Sequence, residues 1–245
     1  MVKRHEMMSL REEEIFRMIA HLCAGTGGFE DPKIVVIGGY ALRAFTSLSR
    51  YTRDCDLVLR KPNGWSLDRL QALRPPGLAT EALEKRDGYG FMRCIRLLKV
   101  PGGSVKIAFD FMEGEVRGRA EGQAFLVTED FMSRASKVKI SIAGKTAEIY
   151  VPDYPHYLIL KLMSARPSDI RDIATLAWKK GVPGDLKEEA WKVLPDPGIL
   201  EKNLELVEAD ISHARFLDSW RGTFATTEFT QEAREKVLAE LRKLR

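Results

Sequence analysis

The stretch KIVVIGGYALRAFTSLSRYTRDCDLVL, Lys33 to Leu59, decides the fold. Ile34 to Ile37 is an apolar run of strand length, Gly38-Gly39 is a turn, a short helix begins at Tyr40, and Asp54 to Leu59 is a second strand. Strand side chains alternate faces, so Asp54 and Asp56 project together while Cys55 enters the opposite layer. Two carboxylates side by side repel unless a cation lies between them. A divalent ion meets that need, since Mg²⁺ takes a few carboxylates together with phosphate oxygens. A glycine turn between an apolar strand and a helix brings backbone N–H groups to where a phosphate can be held. Neither signal is specific alone. Placed on adjoining strands, about fifteen residues apart, they reinforce each other.

Working outward, Ser9 and Glu12 read as a capping box for a helix carrying Ile15, Met18, Ile19 and Leu22, stopped by Gly25 and Gly27-Gly28. Pro62-Asn63-Gly64 is a turn, Ser66–Leu73 a short helix, and Glu81–Lys85 a further helical segment. The runs 90–100 and 104–112 flank Pro101-Gly102-Gly103 and form a hairpin that places Asp110 on a strand. A second hairpin joins 137–142 to 146–151 through Ala143-Gly144-Lys145. After Pro152 the pattern turns helical: 155–164, then Pro167 opening a helix to Gly181, then 186–193, 197–220 and 230–244. The fold class is therefore α/β (α+β), a mixed-sheet domain over 1–151 followed by an all-helical domain over 152–245.

The 245 residues are 44% apolar and 30% charged, which fits packed domains rather than disorder. A net charge of +4 permits a polyanionic substrate without demanding one. Cys23, Cys55 and Cys94 are odd in number and lack zinc spacing, which suits a reducing compartment. No apolar run reaches the ~18 residues of a membrane span, and no signal peptide is read, so the expected location is cytoplasmic. His5, His21, His156 and His213 stand apart from one another and read as surface or partly buried residues. Phe91, Phe109, Phe111 and Phe125 read as core.

Gly38-Gly39 and Arg50-x-Thr52-x-Asp54-x-Asp56 resemble the signature of the DNA-polymerase-beta-type nucleotidyltransferases. Members carry a third aspartate on a neighbouring strand, and Asp110 within Val105–Met112 matches it. Tyr157 to Lys161, followed by Arg166-x-x-Asp169-x-x-Asp172, is similar to a helical motif of the abortive-infection (type IV toxin) branch. The likeness spans Ile34 to Leu176. Gly39 stands where many relatives have serine, which leaves only backbone contacts to phosphate there.

The resemblance implies transfer of a nucleoside monophosphate from a nucleoside triphosphate, ATP among them, to an acceptor hydroxyl on an RNA end, a protein or a small molecule. Asp54, Asp56 and Asp110 would be the catalytic and metal-holding residues, with Mg²⁺ or Mn²⁺ as cofactor. Gly38, Gly39, Arg50, Arg53 and Lys161 would meet the nucleotide. The toxin branch further implies a toxin–antitoxin pair with an antitoxin partner. Lys161 sits on an apolar helix, where a buried ammonium needs an anion. Its alternative is to snorkel to the surface. Arg166, Asp169, Arg171 and Asp172 read as a helix-surface ion-pair set. A catalytically silent nucleotide-binding or regulatory module is the alternative function, and a drug-modifying adenylyltransferase a third.

Overall fold

The computed structural model describes residues 4–61, 63–86, 88–101 and 103–245, with the side chains of Arg4 and His5 left aside. The charged start at residues 1–3 and the expected turn residues Pro62 and Gly102 lie outside that range. The chain forms two compact units. The first comprises Met1–Ala44, Tyr51–Val116 and Val127–Pro152; the second comprises Phe45–Arg50, Arg117–Leu126 and Asp153–Arg245.

The first unit begins with α1 (Arg4–Gly25) and β1 (Ile34–Ile37). A single helical turn, α2 (Gly38–Ala41), and a 3₁₀ turn over Leu42–Ala44 lead to β2 (Asp54–Leu59) and α3 (Ser66–Ala72). Then come β3 (Ala79–Arg86), β4 (Tyr89–Val100) and β5 (Gly103–Glu113). In chain order β6 (Glu115–Arg117) and β7 (Ala124–Leu126) come next and form a small two-stranded ribbon, residues 117–126 being counted with the second unit; α4 (Glu129–Arg134), β8 (Ser136–Ile142) and β9 (Lys145–Val151) complete the first. Seven strands make one mixed sheet in the order β3-β4-β5-β2-β1-β9-β8. Its centre is buried on both sides, which is why β1 reads as a continuous apolar run. Beneath it α1 buries Ile15, Met18, Ile19 and Leu22.

Two readings of the first unit need correction. Residues 81–85 are in strand β3, antiparallel to β4, rather than in a helix. Ala, Leu, Glu and Lys are good helix formers, but propensity yields to tertiary context, and the open edge of the long strand β4 offers a ladder of backbone partners that outweighs it. Ser9 caps nothing, because α1 is already under way at Arg4. Glu12 instead reaches Arg43 and accepts from the Ala143 N–H at 3.3 Å.

The second unit holds α5 (Tyr154–Ser164), α6 (Pro167–Lys180), α7 (Leu186–Val193), α8 (Gly198–Ser212), α9 (Phe216–Phe224) and α10 (Gln231–Arg242). Asp153 caps α5, accepting from the His156 N–H at 3.2 Å. The run 197–220 was expected to be continuous but breaks after Ser212. The break re-aims α9 so that Trp220 stacks on Phe229 at 4.7 Å and donates its indole N–H to Thr175 Oγ1 at 2.9 Å. No helix among the described residues is long and apolar enough to cross a membrane.

Candidate active site

The site is assembled by strand register. Strand β2 lies antiparallel to β1, with Ile37 opposite Asp56, and parallel to β5, with Asp56 opposite Asp110. Asp54, Asp56 and Asp110 therefore share one face of the sheet. Cys55 points to the other face and is fully buried. Burial, then the negative charges of Asp56, Asp110 and Asp54, push its thiol well above the usual range, so it is an inert packing group.

Asp54 is exposed, Asp56 half-buried and Asp110 buried. The Asp54 carboxyl feels the charge of Asp110. Desolvation first, and the charge of Asp110 second, raise it above the usual carboxylate range; Arg93, Arg11 and Arg53 pull the other way. Arg53 thus belongs to the site's electrostatics. So do Arg93 and Arg11, which the sequence reading passed over. Arg93 lies opposite Asp110 in the β4–β5 hairpin and donates from Nε to Oδ1 at 2.7 Å and from Nη2 to Oδ2 at 2.5 Å. Counting outward from the hairpin turn, where Val100 faces Gly103, leads to that pair.

Gly38 and Gly39 take on a specific steric meaning. Gly38 has a positive φ of 67°, and a Cβ there would sit 2.0 Å from Asp56 Oδ2. A Cβ on Gly39 would press against Thr52 at 3.0 Å. Gly38 is thus required by the close approach of Asp56, and Gly39 packs tightly against Thr52. The helix they open is one turn long and starts at Gly38, not Tyr40, so it has little dipole to offer an anion.

Arg50 and Lys161 belong to the second unit. Arg50 makes a fork with Asp172, 2.7 Å from Nε to Oδ1 and 2.7 Å from Nη2 to Oδ2. Lys161 donates to Asp169 Oδ1 at 2.9 Å and Asp172 Oδ2 at 2.8 Å, and Arg166 closes on Asp169 at 2.6 Å. Lys161 does not snorkel, and Asp169 and Asp172 are fully buried, so the set is an interior network rather than a surface one. Burial opposes the Lys161 charge, but Asp172, Tyr157 and Asp169 raise its pKa above the usual lysine range. Burial likewise opposes the Asp169 charge, but Lys161 and Arg166 hold its carboxyl well below the usual range. Arg50 and Lys161, expected to meet the nucleotide, are both engaged in this network. Arg171 stands aside, bonded to Ser219.

His156, expected at or near the surface, is buried, with Nδ1 2.6 Å from Asp153 Oδ1 and Nε2 3.8 Å from Glu189 Oε2. Phe109, Phe111 and Phe125 are core as expected, while Phe91 is half-buried.

A three-carboxylate face with the Gly38 backbone against Asp56 suits a hard divalent cation by donor chemistry, and the guanidinium on Asp110 already marks a place for positive charge. No family model matches the chain, and no curated protein does. Among solved structures the chain is similar to a protein from H. pylori described as a candidate nucleotidyltransferase, at 15% identity and a TM-score of 0.48, covering 98% of this chain and 95% of that one. It is also similar to JHP933 from Helicobacter pylori, at 14% identity and a TM-score of 0.48, covering 99% and 92%.

Proposed function

We propose that the chain is a metal-dependent nucleotidyltransferase that moves a nucleoside monophosphate from a triphosphate to an acceptor hydroxyl. The observation that carries this reading is the register match of Asp56 with Asp110, with Asp54 on the same face and a glycine backbone packed against the Asp56 carboxylate. Asp54, Asp56 and Asp110 would hold Mg²⁺ or Mn²⁺. When bound, such ions supply charge stabilisation at the attacking and leaving oxygens of an in-line displacement. Arg53, exposed beside Asp54, would offset negative charge on the triphosphate. The Gly38-Gly39 turn keeps side chains out of the approach to the carboxylates. Arg50 and Lys161 leave the nucleotide set and serve the helical unit's own packing. An RNA end, a protein hydroxyl and a small molecule are the acceptor classes, and an antitoxin partner belongs to the first two.

One observation favours the alternative of a silent nucleotide-binding module: Asp110 has both oxygens engaged by Arg93. The deciding experiment incubates the protein with each labelled triphosphate, Mg²⁺ or Mn²⁺, and total RNA, lysate or small-molecule acceptors. Transfer of label with pyrophosphate release, lost in the Asp54→Asn/Asp56→Asn variant, is the expected result. Triphosphate binding without pyrophosphate release under every acceptor would replace the enzyme reading with the silent one.

A further inference from the structure

We infer that Arg93 is a built-in cation that occupies Asp110 until a divalent ion displaces it, and so sets the metal affinity of the site. The inference rests on the metal reading proposed above. Asp110 is 8% exposed, and both its oxygens accept from one guanidinium. An uncompensated carboxylate at that depth would be costly, so a cation is needed there whenever no metal is present. Arg93 supplies it from the neighbouring strand, with its own side chain 38% exposed. A long side chain at that exposure can swing its head into water at small cost.

The pairing is also incomplete as a charge balance. A guanidinium is a planar fork matched to one carboxylate. Arg93 bonds Asp110 in that way and reaches Asp54 only as a neighbouring charge. A small divalent ion can be shared among several carboxylates, while the Arg93 fork is spent on Asp110. The two cations therefore compete for Asp110, and the ion has the additional ligands. While Arg93 holds Asp110, the metal-competent arrangement is a minor population, and apparent affinity falls by that fraction. Arg93 is thus a positioning residue: it holds Asp110 in place in the metal-free protein through both oxygens, and it raises the ion concentration at which the site fills. On this account the occupied Asp110 is the resting state of a competent site.

The test is a Mn²⁺ titration of the full chain without nucleotide, followed by calorimetry and by the loss of free-ion electron paramagnetic resonance signal. Wild type, Arg93→Met, Arg93→Lys and Arg53→Met are compared. Arg93→Met is expected to bind Mn²⁺ roughly tenfold tighter, the scale of one charge-assisted hydrogen bond. Arg93→Lys should fall between it and wild type, because an ammonium cannot make the fork. Should Arg93→Met fail to fold, Arg93→Lys decides by the same direction of change. Arg53→Met removes a nearby charge without touching Asp110, so its gain should be clearly smaller. An equal gain in Arg53→Met would reduce the effect to general electrostatics and overturn the role of Arg93. Unchanged or weaker binding in both Arg93 variants would make Arg93 purely structural and overturn it as well. Absence of Mn²⁺ binding in every protein, wild type included, would overturn the metal reading itself, a result distinct from binding that is merely insensitive to Arg93.

Discussion

Two clusters of acidic and basic side chains, one in each unit, use similar residues to opposite ends. In the helical unit Asp169 and Asp172 are fully buried and ringed by Lys161, Arg50 and Arg166, each in direct contact. In the sheet unit Asp54, Asp56 and Asp110 share a face, and Arg93 makes a bidentate pair with Asp110. The first cluster pulls a carboxyl pKa down at Asp169; the second pushes one up at Asp54. A network in which cations satisfy the carboxylates favours a fixed structure. A face where neighbouring carboxylates crowd one another favours a further cation. The contrast separates a structural ion cluster from a candidate binding one without appeal to motif.

The largest expected effect lies on the sheet face. Asp54→Asn with Asp56→Asn should keep the fold and lower transfer by at least ~10² per carboxylate, comparable to removing a preorganised electrostatic contact. Single-turnover kinetics check this, and wild-type rates would dissolve the contrast between the clusters. Next comes Lys161→Ala, which should cost about 3–5 kcal/mol of stability by leaving buried carboxylates short of a cation. Denaturant unfolding measures that loss. A stable variant with weakened triphosphate affinity would move Lys161 back to the nucleotide. Gly38→Ala should cost about 1–3 kcal/mol, from the positive φ and the collision with Asp56. It should also weaken Mn²⁺ binding, because Asp56 has to move aside.

The pH dependences have opposite signs. Asp169 has a depressed folded pKa, so its contribution is present above the ordinary carboxylate range near ~4 and is lost as pH falls below it. Lys161 has a raised one, so its contribution is complete below the ordinary lysine range near ~10.4 and is lost only as pH climbs past that. Asp54 has a raised folded pKa, and stability due to it is lost as pH rises from ~3.9 through that raised value. The smallest effect follows. Asp54→Asn in chelator should raise stability at neutral pH, seen as a higher melting temperature, by less than about 1 kcal/mol because the group is exposed. A fall instead would mean that Asp54 is already compensated.

Much of the sheet unit was legible. The alternation in Asp54–Cys55–Asp56 and the apolar run of β1 fix faces locally, and both hairpins carry turn residues at their tips. Arg93 was missed because a hairpin loop read as three residues shifts every pairing by one, and Cys94 would then face Asp110. With the two-residue loop found here Arg93 does. Strand β3 was missed because its residues prefer helix and only a neighbouring edge persuades them otherwise. The role of Arg50 could not be read locally, since its partner Asp172 lies 122 residues away. The reading of Lys161 as a lysine in need of an anion was correct in kind, yet spacing alone could not say which anion.

The parallel pairing of β2 with β5 has one more consequence. Neighbouring strands lie about 4.7–4.9 Å apart whatever their sequence. With Asp56 and Asp110 as direct partners, the spacing between their backbones is inherited from the amide ladder, as a lattice spacing is, and owes nothing to the packing of the side chains around them. Loop lengths, helix faces and even the outer strand could change without disturbing it. A one-residue slip of β5 is different: it would turn Asp110 to the far side of the sheet and delete the third carboxylate in a single step.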